Sequence, residues 1–443
     1  MNIPHVGLLT VSQLSFLPVW SGNDIVPLIV SAYIPTKALL LTVQTDPAPA
    51  IAILQQLQPE MVCFFLEESS KHVVESDIHP ALSHIPQRWD WILTPDTNSL
   101  PACHKVLAQS LGPLLTTWNV TPGELAIDLT SASPAMASAM TLAGFPFSTK
   151  VFLTPTDSSQ TESTASSSSP DTSENPWDTE APRIRQEACE LFHLGWHDAA
   201  SRAFHTLERR VSGGLKPFYR ALADIAQGYG LWEQLLYRPA WEKLKSGVKA
   251  LELASVWGGP PGMDRIIKAL KGNLRFLESL VLDAKEIKPS LPLDLLAWAK
   301  RRGDRGRELE MATRVLLRAL EAAAQIQLSN RYKLKSWDIT VEQLPKDMQD
   351  TCRRRYLNEI DGKYRLPFQA QFQALAGLGD SMGQHFMTDW PKMKSLFDAA
   401  DHAILGYGFE ALKAERFHQL FEQTMKLTGI AASDLPVFPS LKF

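Results

Sequence analysis

Residues 126–144 read AIDLTSASPAMASAMTLAG, a stretch whose residue types suit the holding of an anion. Ala126, Ile127 and Leu129 supply a short apolar strand, and Thr130, Ser131, Ala132 and Ser133 supply a turn of small residues. Pro134 stands where a first helical position tolerates it, with Ser133 as the N-cap. A strand that feeds a helix through small residues leaves backbone N–H groups unpaired beside the positive end of the helix dipole. That is where α/β sheets bind phosphates and carboxylates. The same spacing also describes an ordinary strand–turn–helix connection, and both readings stand. A basic run, CRRR at 352–355 with Lys333, Lys335, Lys346 and Lys363 around it, fits an RNA-binding patch or a solvated helix face. No Walker, zinc or Ser–His–Asp pattern is present, so neither a metal nor a cofactor is expected. The four cysteines (Cys63, Cys103, Cys189, Cys352) form no CxxC pair and read as buried or reduced thiols.

The elements that must position these residues fall into two kinds. Apolar runs at 39–43, 61–66, 91–94, 126–130 and 151–153 alternate with helical patterns at 48–58 and 100–117. The run MVCFFL at 61–66 is continuous, as in strands buried on both faces. This alternation predicts a doubly wound α/β domain with a Rossmann-like parallel sheet over 1–153. Residues 1–36 add a further strand near 5–12 and a helix near 24–33. Residues 154–182, rich in Ser, Thr, Asp and Glu, read as a disordered linker.

From 183 onward the pattern is all-α. Residues 183–285 begin with an amphipathic hairpin similar to a tetratricopeptide unit. They also carry an aromatic stripe, with Tyr229, Trp232, Tyr237 and Trp241 prominent. Core packing at helical spacing explains that stripe better than base stacking does. On the helix near 309–328, Leu316, Leu320, Ala323 and Ala324 make one apolar face. Arg314, Arg318 and Glu321 share another, close enough for an internal ion pair.

At 443 residues the chain has room for two or three cores. No apolar run approaches the roughly 20 residues of a membrane span. The start of the chain shows no basic leader or cleavage site, so a cytoplasmic protein is expected. The formal charge of −4 hides an asymmetry: residues 1–182 hold five Lys/Arg against seventeen Asp/Glu, leaving thirty-nine against thirty-one beyond. An N-terminal domain this poor in cations has few of the usual partners for phosphate.

Taken together, 126–144 and LLLTVQTDPAP at 39–49 resemble the CARF domain of CRISPR-associated proteins. Asp128, Leu129, Thr130, Ala135 and Met136 fit that family's turn. Ser131, Ala132, Ser133 and Pro134 replace its Gly-Gly-Thr-Lys, and Gln44 stands where its first loop has Gly. The resemblance implies a loop site for a cyclic oligoadenylate built from Thr42, Gln44, Thr45, Asp128, Thr130, Ser131, Ala132 and Ser133. Glu68 and Ser69 join it through a Ser/Glu-rich loop seen in one branch.

Residues 286–430 resemble the HEPN ribonuclease domain of that branch, with 431–443 as a tail. The family's Arg-Asn-x-Ser-Ile-Leu-Ala-His-Gly-Phe signature aligns with LFDAADHAILGYGF at 396–409. Ala400 replaces its Arg, Asp401 its Asn and Tyr407 its His. Attack by a 2′-OH on RNA needs a proton acceptor and a cation to stabilise the phosphorane. A phenol is a poor base at neutral pH. Asp401, His402 and Tyr407 are the candidate catalytic residues of a rearranged site, His402 as a lone base.

The resemblance implies a homodimeric type III CRISPR ancillary protein of antiviral defence, with single-stranded RNA as the nuclease substrate. Two classes of function stand: a pseudoenzyme that senses the ligand, and a divergent ligand-gated endoribonuclease. A helical scaffold without a nucleotide ligand is a third.

Overall fold

The computed structural model describes residues 36–153, 175–256, 260–282, 287–305 and 308–443. The strand and helix expected at 5–12 and 24–33 lie outside these residues. The first domain runs β1 (Ala38–Leu41), α1 (Ala48–Leu57), β2 (Met61–Leu66), the short α2 (Lys71–Val73) and α3 (His79–Ala81), then β3 (Arg88–Leu93), α4 (Leu100–Thr117), β4 (Leu125–Asp128), α5 (Pro134–Gly144) and β5 (Ser148–Phe152). The five strands form one parallel sheet in the order β3-β2-β1-β4-β5.

Every residue of β1, β2 and β4 is buried, because helices cover both faces of the sheet. Alternate side chains go to opposite cores. Leu40, Cys63, Phe65 and Ile127 pack with Leu107 of α4 and Met140 of α5. Leu39, Val62, Phe64 and Ala126 pack with Ile53 and Leu54 of α1. The chain steps outward from β1 to β2 and β3, then returns to β4 on the other side of β1. Strand order therefore reverses between β1 and β4.

The middle domain consists of α6 (Pro176–His193), α7 (His197–Arg210), α8 (Lys216–Glu233), α9 (Tyr237–Val256) and α10 (Met263–Val281). Helix α6 starts inside the segment read as linker. Asn175 caps it by accepting from the Trp177 N–H at 3.1 Å. Trp177 is 3% exposed. Its indole donates to the carbonyls of Phe145 (3.1 Å) and Ser148 (2.8 Å), and its ring stacks on Phe145. Trp177, in a polar run, thus joins this domain to the first. The turn between α6 and α7 needs Gly195, at φ +81°, where a Cβ would overlap the Arg305 guanidinium. The aromatic stripe is core: Tyr229 and Trp232 are fully buried.

The last domain contains α11 (Ser290–Asp304), α12 (Leu309–Tyr332), α13 (Lys346–Arg355), β6 (Leu357–Asn358), β7 (Lys363–Tyr364), α14 (Phe368–Gly377), α15 (Ser381–Thr388), α16 (Trp390–Asp401) and α17 (Ala414–Thr428). The expected all-α region is thus interrupted by a small antiparallel hairpin, β6–β7, whose turn places Gly362 at φ +69°. Its core brings Leu296 of α11 and Leu316 and Leu320 of α12 against Phe372, Phe386 and Phe417.

The two helical domains meet at Glu233, which is 5% exposed. Its carboxylate accepts from Arg301 at 2.7 Å and Arg302 at 2.9 Å. Its backbone carbonyl accepts from the Trp298 indole at 2.7 Å. Burial alone would push the Glu233 carboxyl up, but the two guanidinium charges outweigh it and hold the group below the usual range.

Residues 431–443, expected as a tail, return across this joint. Asn273 donates to the Val437 carbonyl at 3.0 Å, Arg301 lies over the Phe438 ring, and His193 accepts from the Leu441 N–H at 2.9 Å.

Removing one partner of a buried ion pair strands the other charges, so Glu233→Ala should cost about 3–5 kcal/mol. Trp177→Ala deletes a buried ring and two hydrogen bonds and should cost a similar 3–5 kcal/mol or so. Urea unfolding of the full chain measures both. A loss below about 1 kcal/mol for either would contradict its place at the joint.

Candidate functional site

The crevice above the β1 and β4 carboxyl ends is the switch point of the sheet, where open α/β folds bind ligands. Thr42, just past β1, is 1% exposed, and its hydroxyl contacts the Met136 sulfur at 3.9 Å across the crevice. Gln44 and Thr45 follow in the exposed part of that loop. Asp128 ends β4 and is 1% exposed. Its Oδ1 accepts from the Thr130 hydroxyl at 2.6 Å and the Thr130 N–H at 3.3 Å. Ser133 caps α5, accepting from the Met136 N–H at 3.2 Å. Ser131 and Ala132 are half-buried between them.

The two loops expected to cooperate therefore lie side by side. Glu68 and Ser69 are exposed beyond β2, one strand farther out, and Glu68 is paired with Lys71 at 2.9 Å. Sequence reasoning missed Thr97, in the loop after β3. Its carbonyl accepts from Ser133 at 2.5 Å, and its hydroxyl donates to Glu67 at 3.4 Å. Thr97 thus ties the outer loops to the α5 cap, and no motif marks it. Hydroxyls, backbone N–H groups and carboxylates dominate this crevice. A phosphate here would rely on N–H donors more than on cations.

A second site surrounds the end of α16. Ala400 is 3% exposed, in the core, whereas Tyr407 is 91% and Phe409 94% exposed. The loop between them is tight: a Cβ on Gly406 or Gly408 would overlap the carbonyls of Asp401 or His402. Helix α12 holds it. Arg314 donates to the Asp401 carboxylate (3.1 Å) and to the carbonyls of Ala400 (3.2 Å) and Leu405 (3.4 Å). Glu310 accepts from the Leu405 N–H at 2.5 Å and the Leu412 N–H at 3.4 Å. His402 is exposed, with Nδ1 2.6 Å from the Asp398 carbonyl.

Asp401, His402 and Tyr407 are neighbours in the chain, but no hydrogen bond joins their side chains among the described residues. The expected ion pair forms between Arg318 and Glu321 at 3.1 Å. Arg314 does not join it and pairs with Asp401 instead. In the basic run Cys352 is buried, Arg353 is paired with Glu342 at 3.0 Å, and Arg354 and Arg355 are exposed. Among the described residues no cluster of three metal-ligating side chains occurs, and no helix is long and apolar enough to cross a membrane.

Residues 283–430 match the family model of the Csm6 HEPN domain, and residues 182–277 match that of the Csm6 6H domain. The chain belongs to the Csm6-type ancillary proteins of type III CRISPR systems. Its fold is similar to that of Enterococcus italicus Csm6, solved bound to cyclic hexa-2′-fluoro-hexa-dAMP. The similarity has a TM-score of 0.53 at 12% identity, and covers 90% of this chain and 96% of that one. No curated protein matches the chain. The middle helices lie within the 6H match and the second site within the HEPN match, while the parallel-sheet domain lies outside both.

Burial pushes the Asp128 carboxyl above its ordinary value, with the two Thr130 hydrogen bonds opposing the shift only in part. A raised native pKa makes the carboxylate a cost at neutral pH and the protonated acid free of it. Asp128→Asn should therefore raise the melting temperature at pH 7, and the gain should vanish below about pH 4, where the unfolded acid is also protonated. Melting curves from pH 3.5 to 7 test this. A gain that persists unchanged at the acid end would show the wrong cause has been assigned.

Proposed function

We propose that this chain is a cyclic-oligoadenylate sensor of type III CRISPR defence whose HEPN domain no longer cleaves RNA by the Arg/His route. The observation that carries the sensor half is the juxtaposition of the 42–45 and 128–133 loops at the switch point, against the capped N-terminus of α5. Backbone N–H groups and the hydroxyls of Thr45 and Ser131 would receive the ligand's phosphates and sugar edges, with Gln44 available to a base. The bound ligand of the E. italicus relative supports this reading.

The loss of cleavage rests on the end of α16. At the signature's Arg position stands a buried Ala400, and Arg314, whose guanidinium reaches the Ala400 carbonyl, is occupied by it, by Asp401 and by the Leu405 carbonyl. Losing a charge stabiliser alone costs about 10²–10³ in rate. Losing the acid/base group costs a further 10²–10⁴ or so. The domain acts as a homodimer in the cytoplasm: Ile404, Leu405, Tyr407 and Phe409, exposed together in the single chain, are apolar surface for the partner's equivalent loop. In this division residues 36–153 sense the ligand, the 6H helices transmit, and the HEPN domain pairs.

A second reading keeps a residual nuclease. His402 is exposed, and its Nδ1 contact to the Asp398 carbonyl would orient Nε2 outward as a base.

Calorimetry with cyclic tetra- and hexa-adenylate, and cleavage of a fluorescent RNA in the same samples, separate these readings. Binding of at least one ring without cleavage is the expected result. Ligand-dependent cleavage abolished by His402→Ala would establish the residual nuclease in its place. Absence of binding to either ring would remove the sensor.

A further inference from the structure

We infer that the 6H domain carries a docking groove for the phosphodiester backbone of single-stranded RNA, between helices α7, α8 and α9. The groove has a volume of about 600 Å³, and every side chain lining it is polar. Arg209 comes from α7, Lys216 and Arg220 from α8, and Lys243 from α9, so three separate helices aim cations at one space. Its two acids are already engaged. Asp224 is paired with Lys243 at 2.8 Å, and Glu208 with His205 at 2.9 Å.

Arg209, Lys216 and Arg220 make no ion pair among the described residues, and with four cations against two carboxylates the lining has a formal excess of two positive charges. Lys216 and Arg220 are four residues apart on one helix, about 6 Å along its axis, which sets a line of charge rather than a point. The helices that carry them are pinned by a dry core of Phe204, Leu207, Phe218 and Leu244, so the cations stand on a rigid floor.

A groove without an apolar wall offers a peptide side chain little. Guanidinium groups, by contrast, take phosphate oxygens in a bidentate fork. A line of separated cations fits a run of phosphates better than one small anion. This inference rests on the groove's own residues and holds whether or not the HEPN site cuts.

The test is fluorescence anisotropy of a labelled oligouridylate with the full-length protein. Three phosphate contacts predict a log–log salt slope of about −2, so raising salt from about 50 to 200 mM should weaken binding roughly twentyfold. Arg209→Gln/Arg220→Gln should weaken binding at low salt about tenfold or more and bring the slope near −0.7. The α13 variant Arg354→Gln/Arg355→Gln should keep both at wild-type values. Circular dichroism monitors the fold, and Lys216→Gln alone, an isolated surface change, should reduce the slope by about 0.7.

The inference is overturned if no oligouridylate binds at low salt, if the α7/α8 variants leave affinity and slope unchanged, or if the α13 variant removes binding instead. Inorganic phosphate that raises the melting temperature through Arg209 and Arg220, with no RNA bound, would make this a small-anion site and equally end the inference.

Discussion

The arrangement depends on one buried carboxylate. Glu233 closes α8 of the 6H domain at 5% exposure, where an isolated charge would be untenable. Arg301 and Arg302, consecutive on α11 of the HEPN domain, both reach it through Nε. Such a bridge contributes less net stability than its distances suggest, because three charges are desolvated to make it. What it fixes is geometry: the end of α8 is held against two consecutive residues of α11. Trp232 and Trp298 reinforce that register, donating across the joint to Asp294 (2.8 Å) and to the Glu233 carbonyl (2.7 Å).

The chain end seals the same joint. Phe438 packs against Tyr229, Trp232 and His197, and Phe443 reaches Phe218 at the far side of the 6H core. His197 is 4% exposed, and burial holds its imidazole neutral by pushing its pKa down to about 4. The Glu233 carboxylate opposes that shift, and the positive charges of Arg305, Arg301 and Arg302 add to it. From this joint α11 packs on α12, and α12 supplies both Arg314 and Glu310 to the loop after α16. Trp177 makes the corresponding contact at the other end, against β5. Trp177 thus holds the parallel-sheet domain at the start of β5, the end of the sheet away from the crevice.

Much of this was legible in the chain. MVCFFL reads as a strand buried on both faces and is one, and α4 spans the 100–117 expected of it. The aromatic stripe was legible as core, since its spacing is helical. Other features were not. Helix α6 begins within a Ser- and Asp-rich run because Trp177 finds two backbone carbonyls of another domain. The 431–443 segment looks like a tail because its partners lie far upstream. Arg314, one turn from Arg318, is drawn from the local pair by Asp401, a residue distant in sequence.

The amino-acid order by itself determined the elements, the two kinds of domain and the loops that flank β1 and β4, because local periodicity and capping act within a few residues of each other. Only the tertiary structure decided that Arg314 is spent on the α16 loop, that Thr97 joins the loops after β2 and β4, and that cations from three helices share one groove. Those outcomes turn on which distant polar groups find a partner when water is excluded, and composition and spacing carry no record of that pairing.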